Sequence, residues 1–326
     1  DAMAALRTLL LQPVEVRGRM VDAAVHVGVA DEAVGVEELL ARSTRAADEA
    51  ASEGAFWRQV KVDLAAVEQS LILMGELDRA LAAGEIEVHY QPKLALALNR
   101  VTSVEALVRW RHPTKGMVRP DLFIPLAEKT DRIEPLTLFV LDRVMRDLAE
   151  WRAADLHLSA AVNVSARLIA VPTFDAAVRE RLHSGRVPPE SLILEVTESA
   201  TLSDPRRAAA TLREWRDLGV AISMDDYGTG QSTLSYLRQL PLSELKIDRS
   251  FVQHAHWNRA DGLMVHSTVK LAHSLGLKVV AEGIEDEACL QFLRDLGCDM
   301  AQGYLISRPL PAEHLIRTLR PAAAAA

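Results

Sequence analysis

The stretch Val220-Ala221-Ile222-Ser223-Met224-Asp225-Asp226 is a short apolar run that ends in two adjacent carboxylates. The same arrangement recurs along the chain, because further strand-like runs end in polar residues at Asn163, Glu195, Lys246 and Glu282. The carboxyl ends of the strands of an α/β barrel meet on one face, which is where active sites of that fold are built. We therefore expect these side chains to gather at one rim.

Short β-rich runs alternate with helices from about Ile86 onward, which predicts a largely parallel sheet. Eight strand candidates favour a (β/α)₈ barrel over a doubly wound open sheet, which stays the alternative. The predicted strands are Val88–Leu94, Thr102–Trp110, Leu156–Val164, Ser191–Thr197, Val220–Asp225, Glu244–Asp248, Leu277–Ala281 and Asp299–Tyr304. The helices predicted between them include Pro135–Ala153, Pro205–Leu218 and Asp261–Leu275.

The first 55 residues have a different pattern, which predicts two short strands around a turn over Val14–Ala30 and a helix from Gly35 to Ala51. A second helix is predicted from Gly54 to Ala83, since apolar residues recur there every three or four positions. We interpret its part over residues 56–74 as a connector helix between two units. The alanine-rich tail, residues 321–326, is expected to be frayed.

The chain has 326 residues, 49% hydrophobic and 25% charged, as is typical of globular proteins. Its net charge of −8 argues against a surface for polymeric nucleic acid, although not against one small anionic ligand. The two cysteines, Cys289 and Cys298, exclude a disulfide framework and fit a reducing compartment. No apolar run has the length of a membrane helix and no signal pattern opens the chain, so we expect a cytoplasmic location. The sequence leaves open whether the chain is a soluble fragment of a larger, membrane-attached signalling protein.

The acids predicted at the rim are interpreted as metal ligands. Crowded carboxylates repel one another unless protons or cations intervene. Oxygen ligands without His or Cys suit Mg²⁺ or Mn²⁺, and the adjacent Asp225 and Asp226 are suited to bridging a pair of ions. The alternative is that these acids are helix caps and solvated loop charges. That alternative explains any one of them better than it explains the whole set.

The segment Glu105-Ala106-Leu107-Val108-Arg109-Trp110 resembles the signature of the EAL domain, a family of cyclic di-GMP phosphodiesterases. The resemblance covers residues from about 75 to 320 and includes the Asp225-Asp226 loop. Its other anchors follow in the family's order: Tyr90-Gln91-Pro92-Lys93, Phe123-Ile124-Pro125-Leu126-Ala127-Glu128, Val162-Asn163-Val164-Ser165, Glu195-Val196-Thr197-Glu198, Lys246-Ile247-Asp248, Ala281-Glu282-Gly283-Ile284-Glu285, Gln302-Gly303-Tyr304 and Ser307-Arg308-Pro309-Leu310.

The resemblance implies a TIM-like barrel in which one strand is antiparallel, and metal-dependent hydrolysis of cyclic di-GMP to linear pGpG by a homodimer in bacterial signalling. It implies that Lys246 orients or activates the attacking water and that Glu282 is the candidate general base. The implied ligands of two Mg²⁺ or Mn²⁺ ions are Glu105, Asn163, Glu195, Asp225 and Asp226. The implied substrate contacts are Gln91, Leu107, Arg109, Asp248, Glu285 and Gln302. Glu198 would anchor the loop after Asp226.

A non-catalytic cyclic di-GMP receptor is the alternative function, but the intact Glu105, Lys246 and Glu282 favour an enzyme. No His-Asp dipeptide is present, which argues against a second phosphodiesterase family for the same nucleotide. The loop departs from the family pattern at Tyr227, Gln231 and Thr233, where Phe, Tyr and Ser are usual; this puts the strength of regulation in doubt rather than the chemistry. The sequence leaves open whether Mg²⁺ or Mn²⁺ is used and which signal controls the enzyme.

The first 55 residues resemble, more weakly, the C-terminal end of a GGDEF domain. The hairpin and the helix containing Glu37-Glu38-Leu39-Leu40 carry this likeness, and no GG[DE]EF loop is present. An unrelated helical cap is the alternative for this region.

Overall fold

The computed structural model describes residues 2–16, 19–21, 24–30, 36–60, 64–197, 205–228 and 237–319. The chain divides into two compact units, Asp1–Ile72 and Leu73–Ala326. The predicted tail at 321–326 and the predicted anchor Glu198 lie outside the described residues.

The first unit combines short strands with helices. Helix α1 (Ala2–Leu10) is followed by an antiparallel hairpin of β1 (Val14–Val16) and β2 (Arg19–Val21). Strand β3 (Val27–Ala30) pairs in parallel with β4 (Trp57–Val60), and the helix between them is α2 (Val36–Ser52). A side chain at Gly28 of β3 would collide with the backbone of α2, which explains the glycine at this close approach.

Two predictions for this unit are wrong in part. The hairpin is confined to β1 and β2, because β3 pairs with β4 rather than with the hairpin. The helix predicted from Gly54, and with it the connector helix over 56–74, is interrupted by β4, and helix α3 spans Leu64–Ala82. The apolar spacing suits a helix, but a pairing partner distant in sequence decides the conformation of a short segment.

The second unit is a closed barrel, as predicted. In the described residues its eight strands are β5 (Ile86–Ala95), β6 (Arg100–His112), β8 (Ser159–Asn163), β9 (Leu192–Thr197), β10 (Ala221–Tyr227), β11 (Glu244–Ile247), β12 (Lys278–Ala281) and β13 (Met300–Gln302). They pair in that order, and β13 pairs with β5 to close the ring. Within the described ranges β5 is antiparallel to both neighbours and the other barrel pairings are parallel, which confirms the predicted antiparallel strand.

Two short strands extend this sheet, and helices surround the barrel. Strand β7 (Gly116–Val118) pairs with β6, and β14 (Leu310–Pro311) pairs with β5. The described helices of this unit that follow α3 are α4 (Pro120–Glu128), α5 (Ile133–Ala153), α6 (Ala166–Ile169), α7 (Pro172–His183), α8 (Pro205–Asp217), α9 (Arg249–Val252), α10 (Arg259–Ser274), α11 (Glu287–Asp295) and α12 (Ala312–Leu319).

Alternation along the strands separates an apolar outside from a polar inside. Leu194 and Val196 of β9 are fully buried in the hydrophobic core that the strands share with the helices, whereas Glu195 between them faces the other way. In β10, Ile222 and Met224 belong to the same core. The interior of the barrel therefore receives charged side chains from strands whose outer faces are apolar.

Candidate active site

A buried lysine lies at the centre of the acids that follow the strands. The Nζ atom of Lys246 is 2.7 Å from Glu282 Oε1 and 3.1 Å from both Glu195 Oε2 and Asp225 Oδ1. It also lies 3.6 Å from Glu105 Oε2. These residues and Asp226 form what we call the opening cluster: Glu105, Glu195, Asp225, Asp226, Glu282 and Lys246. The sequence prediction that the strands bring these side chains together is matched by this geometry.

A local irregularity of β10 places two consecutive aspartates on the same side. Successive residues of a regular strand point to opposite faces. Here the pairing of β10 with β11 shifts register between Met224 and Tyr227, and Asp226 has a left-handed backbone with φ of 56°. The backbone N–H of Asp226 donates to Asp225 Oδ1 at 2.9 Å. As a result, carboxylate oxygens of Asp225, Asp226 and Glu282 lie within 4.8 Å of one another.

Glu105 is fixed by two side-chain amides. Asn163 Nδ2 donates to Glu105 Oε1 at 2.9 Å, and Gln302 Nε2 donates to Glu105 Oε2 at 2.6 Å. Burial alone would raise the pKa of Glu105, but Lys246, Lys93 and the two amides outweigh it and lower the pKa to about 2. This carboxylate is therefore held as an anion.

The other acids of the opening cluster are harder to keep ionised. Burial raises the pKa of Glu195 to about 7, with further contributions from Glu105 and Asp225, although the neighbouring lysines oppose the change. Burial, with Asp225 and Glu105, likewise raises the pKa of Glu282 to about 8 in spite of Lys246. The pKa of Asp226 is also raised, by burial and by the carboxylate of Asp225. One lysine does not balance so many carboxylates.

Two cavities adjoin the opening cluster, and Leu107 lines both. The polar one, of about 240 Å³, is lined by Gln91, Glu105, Leu107, Asp225, Lys246, Arg249, Gln253, Glu282, Gly283, Glu285, Gln302, Gly303 and Tyr304. The other, of about 460 Å³, is more apolar, and its lining includes Arg109, Ile124, Ile133, Leu136, Val140, Asn163, Glu195 and Thr197.

The predicted substrate contacts fall into three groups. Gln91, Leu107, Glu285 and Gln302 line the polar cavity, and Arg109 lines the apolar one. Asp248 caps α9, where its Oδ1 accepts from the backbone N–H of Ser250 at 3.0 Å. A contact of Asp248 with substrate stays a prediction. Of the atypical loop positions, Tyr227 packs against the core, whereas Gln231 and Thr233 lie outside the described residues.

Two buried charged residues beneath the opening cluster were not predicted as site residues. Lys93 Nζ is 2.7 Å from Glu195 Oε1 and 3.3 Å from Glu244 Oε1. Ser223 Oγ donates to the same Glu244 oxygen at 3.0 Å. We call Lys93, Ser223 and Glu244 the lower layer. The signal for it was present, because each lies two residues from Gln91, Asp225 or Lys246 and so shares a strand face with a site residue.

Two glycines are required where chain segments cross close to the acids. Gly283, directly after Glu282, has φ of 72°, and a Cβ there would lie 2.4 Å from Arg249 Cβ. A Cβ on Gly303 would lie 2.1 Å from the carbonyl oxygen of Ile284. These positions therefore accept only glycine without displacing the backbone around Glu282 and Gln302.

The fold and the opening cluster define a TIM-like barrel with an acidic centre at the carboxyl ends of its strands. Residues 74–309 match the EAL domain family, and the chain belongs to this family. The predicted family is thereby confirmed.

Named relatives agree with this assignment. The cyclic di-GMP phosphodiesterase NbdA of Pseudomonas aeruginosa is 40% identical over 318 residues, which cover 95% of this chain and 40% of the relative. The bifunctional diguanylate cyclase/cyclic di-GMP phosphodiesterase MucR of the same organism is 42% identical over 77% of this chain and 37% of the relative. A solved structure described as PaMucR phosphodiesterase in complex with c-di-GMP is 42% identical, with a TM-score of 0.71, over 74% of this chain and 99% of that chain.

The chain thus spans about two fifths of the length of these two curated relatives. Among the described helices, none is long and apolar enough to cross a bilayer.

Proposed function

We propose that this chain hydrolyses one phosphodiester bond of cyclic di-GMP to give linear pGpG, with two divalent cations in the opening cluster. The observation that carries the proposal is the charge of that cluster. It has five carboxylates and one lysine, with four of the carboxylates within 3.6 Å of Lys246 Nζ, which leaves a formal surplus of four negative charges among the described residues. Two divalent cations would balance that surplus.

The donor atoms fit such ions. They are carboxylate oxygens and the amide oxygen of Asn163, which suit the hard cations Mg²⁺ and Mn²⁺. Glu105, Asn163, Glu195 and Asp225 would hold one ion, and Asp225 with Asp226 would hold the other, close to Glu282. Bound there, the ions would polarise the phosphate and lower the pKa of the attacking water.

Lys246 and Glu282 supply the remaining chemistry. Lys246 Nζ is a fixed donor at the centre of the cluster, so it would orient the attacking water through a hydrogen bond. Glu282 Oε1 would accept the proton of that water. Burial and the carboxylate of Asp225 raise the pKa of Glu282, and cations bound beside it would favour its ionised, proton-accepting form.

The surroundings fit a nucleotide of this kind. The polar cavity beside Gln91 and Gln302 would take one phosphate with its ribose, and the apolar cavity beyond Leu107 would take a guanine base. Gln302 Oε1 is buried without a hydrogen-bond partner in the described structure, so it offers an acceptor to substrate. Arg109, half-buried in the apolar cavity, would contribute a donor or a stacking surface.

The test is incubation with cyclic di-GMP in Mg²⁺ or Mn²⁺, followed by chromatography for pGpG, with Glu105→Ala as the control. We expect pGpG from the wild-type chain and none from the variant. Cyclic di-GMP that binds but stays intact under both metals would refute the hydrolase and support the receptor function. If EDTA-treated protein converts cyclic di-GMP to pGpG without added metal, the role of the cations is refuted.

Two further expectations belong to this proposal. We propose that the chain acts as a homodimer, which sedimentation equilibrium tests by mass. We also propose that residues 1–55 derive from a GGDEF domain. Because they contain no GG[DE]EF loop, we expect the chain to make no cyclic di-GMP from GTP.

A further inference from the structure

We propose that Lys93 is a positioning residue that fixes the metal ligand Glu195 from below, and that Glu244 and Ser223 hold Lys93 in place for this task. The inference rests on the proposed function, because it concerns the cations assigned to the opening cluster. It adds a second buried lysine to the site, one that does not line either cavity.

The contacts of Glu195 carry the inference. Its Oε1 atom is 2.7 Å from Lys93 Nζ, and its Oε2 atom is 3.1 Å from Lys246 Nζ. The two lysines therefore contact the two oxygens of the Glu195 carboxylate, each from a different layer of the barrel. Because the side chains of Lys93 and Glu195 are completely buried, water does not replace the contact between them.

Lys93 is held in turn by the lower layer. Glu244 Oε1 lies 3.3 Å from Lys93 Nζ and also accepts the hydroxyl of Ser223 at 3.0 Å. The charges of Lys93 and Glu244 cancel, so this layer adds no net charge to the site above it. It acts on the cations through the orientation of Glu195 rather than through attraction.

Stability alone is a poor explanation for this arrangement. The interior of a TIM-like barrel is usually filled by branched apolar side chains. A buried ion pair is often no more stabilising than apolar residues of similar volume, because both charges lose their hydration. Groups that hydrogen-bond a metal ligand, in contrast, commonly change metal affinity by about 10–100-fold when they are removed.

The experiment measures Mn²⁺ affinity by calorimetric titration in the full chain, with thermal unfolding in EDTA recorded in parallel. The test variant is Lys93→Met/Glu244→Gln, which removes both charges at once and leaves the net charge unchanged. The matched control is Arg143→Met/Asp147→Asn, because Arg143 Nε lies 2.9 Å from the buried Asp147 Oδ2, outside the barrel interior.

We expect the test variant to bind Mn²⁺ at least about tenfold more weakly, whereas the control loses thermal stability but keeps wild-type affinity. Equal Mn²⁺ affinities in the test variant and the wild type would overturn the inference, whatever their unfolding temperatures. If the test variant does not fold, Lys93→Met/Glu244→Leu replaces it, since apolar side chains of similar volume often replace a buried ion pair without loss of stability. The same loss of affinity is then expected, and wild-type affinity again refutes the role.

These results separate the inference from the proposed function. A wild-type chain that binds Mn²⁺ but leaves cyclic di-GMP intact would refute the hydrolysis and leave the role of Lys93 standing. A wild-type chain that binds no Mn²⁺ would refute both.

Discussion

The opening cluster and the lower layer share strands β10 and β11 but differ in their charge balance. In the opening cluster, Lys246 is surrounded by carboxylates that outnumber it. In the lower layer, Lys93 is matched by Glu244, and Ser223 supplies a further hydrogen bond. Both lysines are held protonated by the carboxylates around them, which raise their pKa values against the opposing effect of burial.

The difference shows which layer depends on something from outside. A buried group that is paired and hydrogen-bonded needs no further ligand. The surplus of carboxylates at the rim is stable only with added protons or cations. We therefore propose that the rim binds and reacts, whereas the layer below it positions.

The largest effect is expected from removing a rim carboxylate. Glu105→Ala should lower kcat/KM for cyclic di-GMP by at least about a thousandfold, or about 4 kcal/mol of transition-state stabilisation. The variant loses a proposed metal ligand that two amides orient. Turnover is measured by pGpG formation at saturating Mn²⁺. Activity within tenfold of the wild type would show that Glu105 is not a ligand.

Lys246→Met is expected to lower turnover by about a hundredfold or more, in the range that positioned proton-transfer groups contribute. The variant loses the donor that is 2.7 Å from Glu282 and would orient the attacking water. Mn²⁺ should still bind, because the carboxylates remain. A variant that loses Mn²⁺ binding but recovers full turnover at high Mn²⁺ would show that Lys246 serves only the metal site.

Divalent cations should stabilise the folded chain. At a Mn²⁺ concentration one hundred times the dissociation constant, the expected gain is about 2.7 kcal/mol per site, seen as a higher unfolding temperature. The gain arises because the ions relieve repulsion among Asp225, Asp226 and Glu282. Metal-free protein in EDTA defines the baseline unfolding temperature. An unfolding temperature that does not respond to Mn²⁺ or Mg²⁺ would contradict the charge argument.

The smallest effect is expected on the outer surface. Arg111 pairs with Glu87 across the exposed side of β5 and β6, with Nε 2.6 Å from Glu87 Oε1. Exposed pairs contribute little, because water and salt screen them. Arg111→Ala should therefore leave both turnover and unfolding temperature indistinguishable from the wild type. A loss of turnover comparable to that of Lys246→Met would show that removing a charge impairs turnover even on the outer surface of the barrel.

The barrel could be predicted from the sequence because its signal is local. Each strand is a short apolar run, and the polar residue at its end marks the carboxyl rim. The rim residues Glu195, Asp225 and Lys246 were found in this way, and they do meet. Lys93 and Glu244 are not at the carboxyl rim and so escaped the prediction, although they share strand faces with the site residues Gln91 and Lys246.

The parts that were mispredicted depend on contacts between distant residues. Strand β4 has apolar spacing that suits a helix, and it is a strand because β3 offers it a parallel partner. The bulge that turns both Asp225 and Asp226 to one side depends on the pairing of β10 with β11. Neither is visible in a window of neighbouring residues.

The most direct test of the charge argument is to locate Mn²⁺ by anomalous diffraction in crystals of the wild-type chain grown with the ion. We predict two peaks, one among Glu105, Asn163, Glu195 and Asp225, and one beside Asp225, Asp226 and Glu282. An opening cluster without an anomalous peak, in crystals that hold Mn²⁺ elsewhere, would contradict the division between a rim that needs cations and a layer that does not.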